Sequence, residues 1–499
     1  MNTLEKPRFR NLDQGECAGA PILRKLWDRF DFSFLLTQSG IFKVRGTPTW
    51  IVAFLYMVGL IAQCTSVLQM SKLASRDALL QPLLQQWNLA QHTLSRFLTS
   101  KFNWALFGHK RVARLQQDSE TALQEGDVVD LDDSVIDHPF GKMLSFLCWL
   151  YDSSQKISVW GMNLVVLHAV LRNGLEYPLS YKVWRKPAVK GDGPTKLDLA
   201  KEMLLALRQS TKCRLWVAMD RWYLCKDFFN FLTGNRFDWV TKAKRNTALF
   251  RKQIHPLTGR ERYEPVNPAM LIKEVFTSLS KQGQVGLVGI SVPDIYMKMP
   301  HFVSNRKGEH IKKYRYTAIA AVVAMRLKED EEPEAAELED TDEDKPATYR
   351  GAYVLISNRA DAADEVLHVY AKRWRIEVFF RRAKQNLGLA KCHSTTEEHH
   401  HAHLELLFAA DTLLGFAHWE MNKEKTSDGD GCTHGEMVRC LFHTRCQIRS
   451  KTRSGTQTIS LDIGTEAVRF ARLIQLFWPN EIRMFWGESA FSHVLPASA

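Results

Sequence analysis

Between residues 127 and 244 the chain changes from helical periodicity to strand-length apolar runs that end in carboxylates, and no other feature narrows the possible folds as much. Residues 127–133 (Asp-Val-Val-Asp-Leu-Asp-Asp) read as a strand closing on two acids. Residues 157–163 and 164–171 read as two more strands, 197–209 as an amphipathic helix, and 215–220 (Leu-Trp-Val-Ala-Met-Asp) as a strand that again ends in an acid. A helix through 228–232 and a strand at 239–244 follow. Strands mixed with helices at these lengths imply an α/β core built on a mixed sheet.

The flanks read differently. Residues 1–125 are helical in pattern. The apolar run 50–62 falls short of the ~20 residues of a membrane span, so it predicts a buried core helix. In 91–98, Leu94, Phe97 and Leu98 form one stripe, while His92, Thr93, Ser95 and Arg96 lie largely off it. That suits a short recognition helix presenting Arg96 to DNA, and it suits a plain helical domain as well. Residues 246–350 predict a strand-rich insertion: a basic loop (Arg251, Lys252, Arg260, Arg262), strand-like pieces at 284–292 and 314–326, then an acidic run, 329–344. Beyond it, 352–357 resumes the strand pattern, 363–387 reads as one long helix, and 396–499 as a mostly helical tail suited to dimerisation.

With 45% hydrophobic and 24% charged residues, a 499-residue chain has the composition of a globular protein of two to four domains. This argues against wholesale disorder and against a multi-span membrane protein. Lys and Arg number 67 against 55 Asp and Glu, a net +12; eleven of the acids and no base lie in 329–344, leaving +23 on the remainder. A body that basic suggests a polyanionic partner. Nine scattered cysteines and a polar, charged stretch at 1–21 predict a reducing cytoplasm with no membrane association.

One segment carries chemistry. On a helix, Tyr370, Arg373, Glu377 and Lys384 fall at about 0°, −60°, −20° and −40°, so one carboxylate lies between two cations and a phenol along a narrow stripe. Val369, Ile376, Phe380, Ala383 and Leu387 form the adjoining core edge. A surface ladder of Glu377 with Arg373 and Arg381 is the plain alternative. Asp133 and Asp220 end apolar strands, and an Asp–Asp–Glu set is what two Mg²⁺ ions require, being hard cations that take oxygen ligands.

These residues resemble the DDE transposases of bacterial insertion sequences, in the branch marked by Tyr-x2-Arg-x3-Glu-x6-Lys. Tyr370, Arg373, Glu377 and Lys384 fit that spacing without a gap, and Lys384-Gln-Asn-Leu-Gly388 is similar too. Leu131-Asp-Asp-Ser134 resembles the first-acid motif, selecting Asp133 with Asp132 as the alternative; Val217-Ala-Met-Asp220 resembles the second. The resemblance implies a ribonuclease-H-like mixed-sheet core in two parts (126–245 and 351–395) around the insertion, a DNA-end-binding N-terminal domain (1–125), and a C-terminal region (396–499). It implies Asp133, Asp220 and Glu377 as catalytic residues and ligands of two Mg²⁺ ions (Mn²⁺ substituting). Tyr370, Arg373 and Lys384 would hold DNA, with Lys242, Lys244 and Arg245 as further phosphate contacts. The partners implied are terminal inverted repeats and target DNA, bound by a homodimer in the bacterial cytoplasm. The family's insertion can supply a Trp that stacks on a flipped base, yet no Trp lies between Trp239 and Trp374.

Two His/Cys groupings, Cys392–His403 and Cys432–Cys446, lack the spacing of common zinc sites, so structural histidines are expected there. Two other readings compete with an active transposase: a transposase-derived DNA-binding protein that has lost catalysis, and a ribonuclease-H-like nuclease that joins no strands.

Overall fold

The computed structural model describes residues 13–15, 17–77, 79–139, 141, 144–152, 155–187, 189, 192–278, 286–304, 310–327, 351–423, 431–443, 446–450, 457–461 and 482–484. The acidic run 329–344 lies outside them. The N-terminal helices include α1 (Ala20–Arg29), α2 (Thr49–Ile61), α3 (Gln91–Leu98) and α4 (Trp104–Leu115). Helix α2 is apolar all round and has twelve buried residues, so it is a core helix. Among the described residues no helix is long and apolar enough to cross a membrane.

A mixed α/β sheet follows, from β1 (Val128–Asp137), β2 (Cys148–Asp152), β3 (Ile157–Val170) and β4 (Glu176–Trp184), through α5 (Lys196–Ser210), β5 (Leu215–Met219), α6 (Lys226–Gly234) and β6 (Phe237–Lys242). The two strands expected at 157–163 and 164–171 are one, β3, which pairs without a break along β1. Gly161 sits inside it because a Cβ there would collide with the Ile136 carbonyl. A capping box between Thr195 and Asp198 starts α5.

The insertion contributes β7 (Leu249–Ile254), β8 (Glu261–Val266), α7 (Pro268–Ser278), β9 (Gly286–Val292), β10 (Ile295–Ser304), β11 (His310–Ala318) and β12 (Ala320–Leu327). It is strand-rich, as read, but its parts differ from expectation. The basic loop is the hairpin β7–β8. The single piece expected at 314–326 is two strands, β11 and β12, which separate at Ile319 and enter different sheets. One sheet is β11-β10-β7-β8; the other runs β9-β12-β13-β6-β5-β1-β3-β2, with β4 also on β3, once β13 (Tyr353–Ser357) is added. Only β1–β5 and β5–β6 pair in parallel within these two sheets.

The expected long helix is two, α8 (Ala363–Lys372) and α9 (Trp374–Asn386), because the turn tightens at Arg373, whose N–H bonds the Tyr370 carbonyl three residues back. Helices α10 (Glu397–Asn422) and α11 (His434–Phe442) follow. The tail is not helical throughout: Cys446–Ser450, Gln457–Leu461 and Ile482–Met484 form a sheet with Asp13–Gly15.

Helix α10 is buried on nearly every side. It packs on α1, α2, α4 and β4, so the N-terminal helices and the sheet share one hydrophobic core. Tyr56 Oη and His403 Nδ1 are hydrogen-bonded at 2.9 Å, and Arg111 donates to the Pro178 and Leu179 carbonyls and to Thr412 Oγ1. Behind α9, Arg382 grips Asp411 and Glu176.

Burial alone would raise the Glu176 pKa, yet Arg382, His168 and Arg375 pull it down to about 2, against an ordinary 4.5. A carboxyl depressed in the folded state stabilises the fold above its unfolded pKa and loses that contribution as pH falls through the folded one. The wild-type chain is therefore expected to lose stability as pH drops from about 4.5 to about 2, and Glu176→Gln to flatten that segment of a pH-dependent urea series.

Candidate active site

The parallel pair β1–β5 places the acids. Its last registered pair is Leu131 with Met219, so Asp132 and Asp220 come next, side by side on one face, about 4.8 Å apart along the sheet. Met219 is also level with Thr241 of β6, which puts Lys242 third in the same row. A short 3-10 turn, Arg221–Tyr223, begins here, and the Asp220 carboxylate caps it by accepting from the Trp222 N–H at 3.4 Å.

Helices α8 and α9 cover this face. Arg373, at their junction, donates to Asp132 Oδ2 at 3.5 Å and to Glu377 Oε1 at 2.6 Å, so one guanidinium joins a strand acid to the helix acid. Its carbon lies 5.6 Å from the centre of the Tyr370 ring. Burial, and secondarily the charge of Asp220, pushes the Tyr370 hydroxyl up to about 12. Burial, with the neighbouring charges of Asp133 and Asp220, raises the Asp132 carboxyl to about 7 against the pull of Arg373. Arg373 thus ties Asp132 to Glu377, and Asp220 and Lys242 stand beside Asp132 in the same row.

Asp133 follows the alternation of the strand to the opposite face. There it accepts from Lys196 Nζ at 2.7 Å, Asn163 Nδ2 at 2.7 Å and Tyr223 Oη at 3.2 Å. Lys384 is half-buried on the far side of Glu377; its Nζ donates to the Val135 carbonyl of β1 at 3.2 Å, and burial lowers its pKa. Lys242 lies 4.4 Å from the Tyr353 ring centre. With Arg221, Arg245 and Tyr353 it lines a cavity of about 170 Å³ beside the acid row. Lys244 is exposed on the turn after β6, and Arg96 is exposed on α3 among the N-terminal helices, outside this cluster.

Sequence reading missed Lys196, Arg221 and Tyr353. Arg221 directly follows Asp220 into the turn, whereas Lys196, at the start of α5, and Tyr353, at the start of β13, come from elements distant in sequence that no local spacing signals. Among the described residues, no three His, Cys, Asp or Glu side chains are gathered as a metal cage, since the Arg373 guanidinium lies between Asp132 and Glu377. The histidines in 399–403 serve packing: His400 Nε2 lies 3.0 Å from the Ser394 carbonyl and His403 Nε2 3.1 Å from that of Gly388.

Residues 124–413, more than half of the chain, match the family described as the transposase DDE domain. The chain belongs to that family. It is a DNA transposase, and DDE transposases act on DNA with divalent metal ions. The matched stretch starts just before β1 and ends inside α10, taking in both strand acids and the helix acid. No curated protein matches the chain. A solved piggyBac transposase, in a cryo-EM synaptic complex with hairpin DNA, is similar at a TM-score of 0.40 and 11% identity, over 87% of this chain and 82% of that one.

Proposed function

We propose that this transposase works by cut-and-paste, with Asp132, Asp220 and Glu377 as its reacting carboxylates and Asp132 in the place that the sequence motif gives to Asp133. The observation that carries this is the register: Asp132 shares the row of Asp220 and the guanidinium that holds Glu377, while three donors occupy Asp133 on the other face. The strand order β4-β3-β1-β5-β6, three antiparallel then two parallel, supports a ribonuclease-H-like core.

The residues fit a hard divalent ion. All three donors are carboxylate oxygens, and the Asp132 carboxyl is raised first by burial and then by the charges of Asp133 and Asp220, which a bound cation would offset. Bound there, two Mg²⁺ or Mn²⁺ ions would supply activation of the attacking hydroxyl and charge stabilisation for the leaving 3′-oxygen. Arg373, released from the acids, would turn to a backbone phosphate beside the scissile bond. Tyr370, kept protonated by burial, would orient the strand as a hydrogen-bond donor. Lys384 would steady β1 beneath the acids and, with Lys242, Lys244 and Arg245, hold phosphates on either side. The N-terminal helices, with Arg96 outward on α3, would bind the terminal inverted repeats, and a homodimer would pair the two ends before joining them to target DNA.

Duplex carrying the element's own ends tests the reading. The purified protein is expected to nick it in Mg²⁺ or Mn²⁺, and Asp220→Ala to lose that activity. DNA binding with no divalent-dependent nicking, and Asp220→Ala indistinguishable from wild type, would sink the proposal.

A further inference from the structure

The sheet β11-β10-β7-β8 has two unlike faces. On one, Leu249, Ile295, Met297 and Met299 are buried, and β10 packs on α6. The opposite face carries Phe250, Lys252, Tyr263, Tyr296, Lys298, Tyr314 and Tyr316, placed together by the pairings Tyr296–Phe250, Lys252–Tyr263 and Lys298–Tyr316. Tyr263 and Tyr316, from the two outer strands, stack at 4.0 Å with planes 2° apart, so the sheet curls over on this side. Phe250 and Tyr296 close the cluster, each within 5.1 Å of one of those rings.

The cluster is open to solvent. Tyr314 is 54% exposed and Tyr316 37%, and Lys298 Nζ lies 5.4 Å from the Tyr314 ring centre. Aromatic pairs across strands stabilise a sheet, which accounts for Tyr263, Tyr296 and Phe250. It does not account for a tyrosine more than half exposed beside a lysine at the sheet's edge. Exposed rings beside a lysine, on an open sheet face, are what unpaired nucleotides bind: bases stack and a phosphate pairs with the cation, here Lys298, since Lys252 is ion-paired to Glu261 on the same face. The surrounding charge agrees, since residues 246–327 hold thirteen Lys and Arg against five Asp and Glu. The face is also tied to the acid row. Helix α6 begins six residues after Asp220 and donates from Asn230 Nδ2 to the Pro300 carbonyl of β10 at 2.6 Å.

We infer that this Tyr–Lys face binds a single-stranded segment of DNA, with bases stacked on Tyr314 and Tyr316 and a phosphate held by Lys298. The choice of DNA as the polymer rests on the transposase reading; the face itself stands on its own geometry. It differs from a slot for one base, because Tyr314 and Tyr316 lie two residues apart on one face of one strand, beside Lys298, and offer consecutive nucleotides a track.

Fluorescence anisotropy of the full chain with a short fluorescein-labelled oligothymidine tests it, beside duplex of equal length. Tyr314→Ala is expected to weaken oligothymidine binding by about tenfold with duplex binding unchanged, while Tyr314→Phe, which keeps the stacking ring, binds as wild type. Lys298→Ala is expected to reduce the slope of log affinity on log salt by about 0.7. The melting transition of each variant controls for folding. Wild-type affinity in Tyr314→Ala, an equal loss in Tyr314→Phe, or a parallel loss on duplex would overturn the inference. Asp220→Ala separates the two proposals. It is expected to keep oligothymidine binding while losing nicking, so failure of either leaves the other readable.

Discussion

Asp132→Asn is expected to remove divalent-dependent DNA cleavage by about 10³-fold or more, because a lost metal ligand costs several kcal/mol of transition-state stabilisation. Asp133→Asn is expected to stay within about tenfold of wild type, its cost falling on the fold rather than the chemistry, at about 1–3 kcal/mol for a weakened set of hydrogen bonds. The two carboxylates are adjacent in sequence and differ by one step of the pleat. Asp132 meets Arg373; Asp133 meets Lys196, Asn163 and Tyr223. Cleavage of end-bearing duplex by both variants decides it. Full activity in Asp132→Asn with loss in Asp133→Asn would reverse the assignment.

Arg382→Ala is expected to destabilise the fold by about 3–5 kcal/mol, since it strands the buried Asp411 carboxylate and takes one of two cations from Glu176. Arg382 Nε and Nη2 bond the two oxygens of Asp411 at 2.7 and 2.6 Å, Nη1 bonds Glu176 at 2.5 Å, and Asp411 is fully buried. The test has a second arm. Arg382→Met with Asp411→Leu removes the charge and its partner together, and is expected to recover most of the loss, with Glu176 still paired to Arg375. Urea midpoints report both, and an unshifted midpoint in Arg382→Ala would contradict the account.

Much of this was legible in the sequence, for reasons that also set the limit. Strand-length apolar runs announced β1, β5 and β6, and the acids at the ends of the first two runs were visible as such, although β1 continues beyond Asp133 to Asp137. The face each acid takes was not. A strand exposes alternate residues to alternate faces, so choosing Asp132 or Asp133 needs the register between strands about ninety residues apart, and a slip of one residue inverts the answer. The spacing of Tyr370, Arg373 and Glu377 marked the covering helix. Its division at Arg373 did not show, because the tightened turn involves no Gly or Pro. The insertion misled for a third reason: Arg251, Lys252, Arg260 and Arg262 look like loop residues, yet they belong to a hairpin whose neighbouring strand in the sheet is the distant β10.

The way α10 is enclosed has a consequence for the order in which the polypeptide can mature. Tyr56 finds His403 across 347 positions of sequence, and Arg111 finds Thr412 across 301. During synthesis, α2 leaves the ribosome long before the segment that will shield its greasy surface exists. The amino-terminal third must wait uncovered through most of translation, and it acquires its final shape only when the last third arrives.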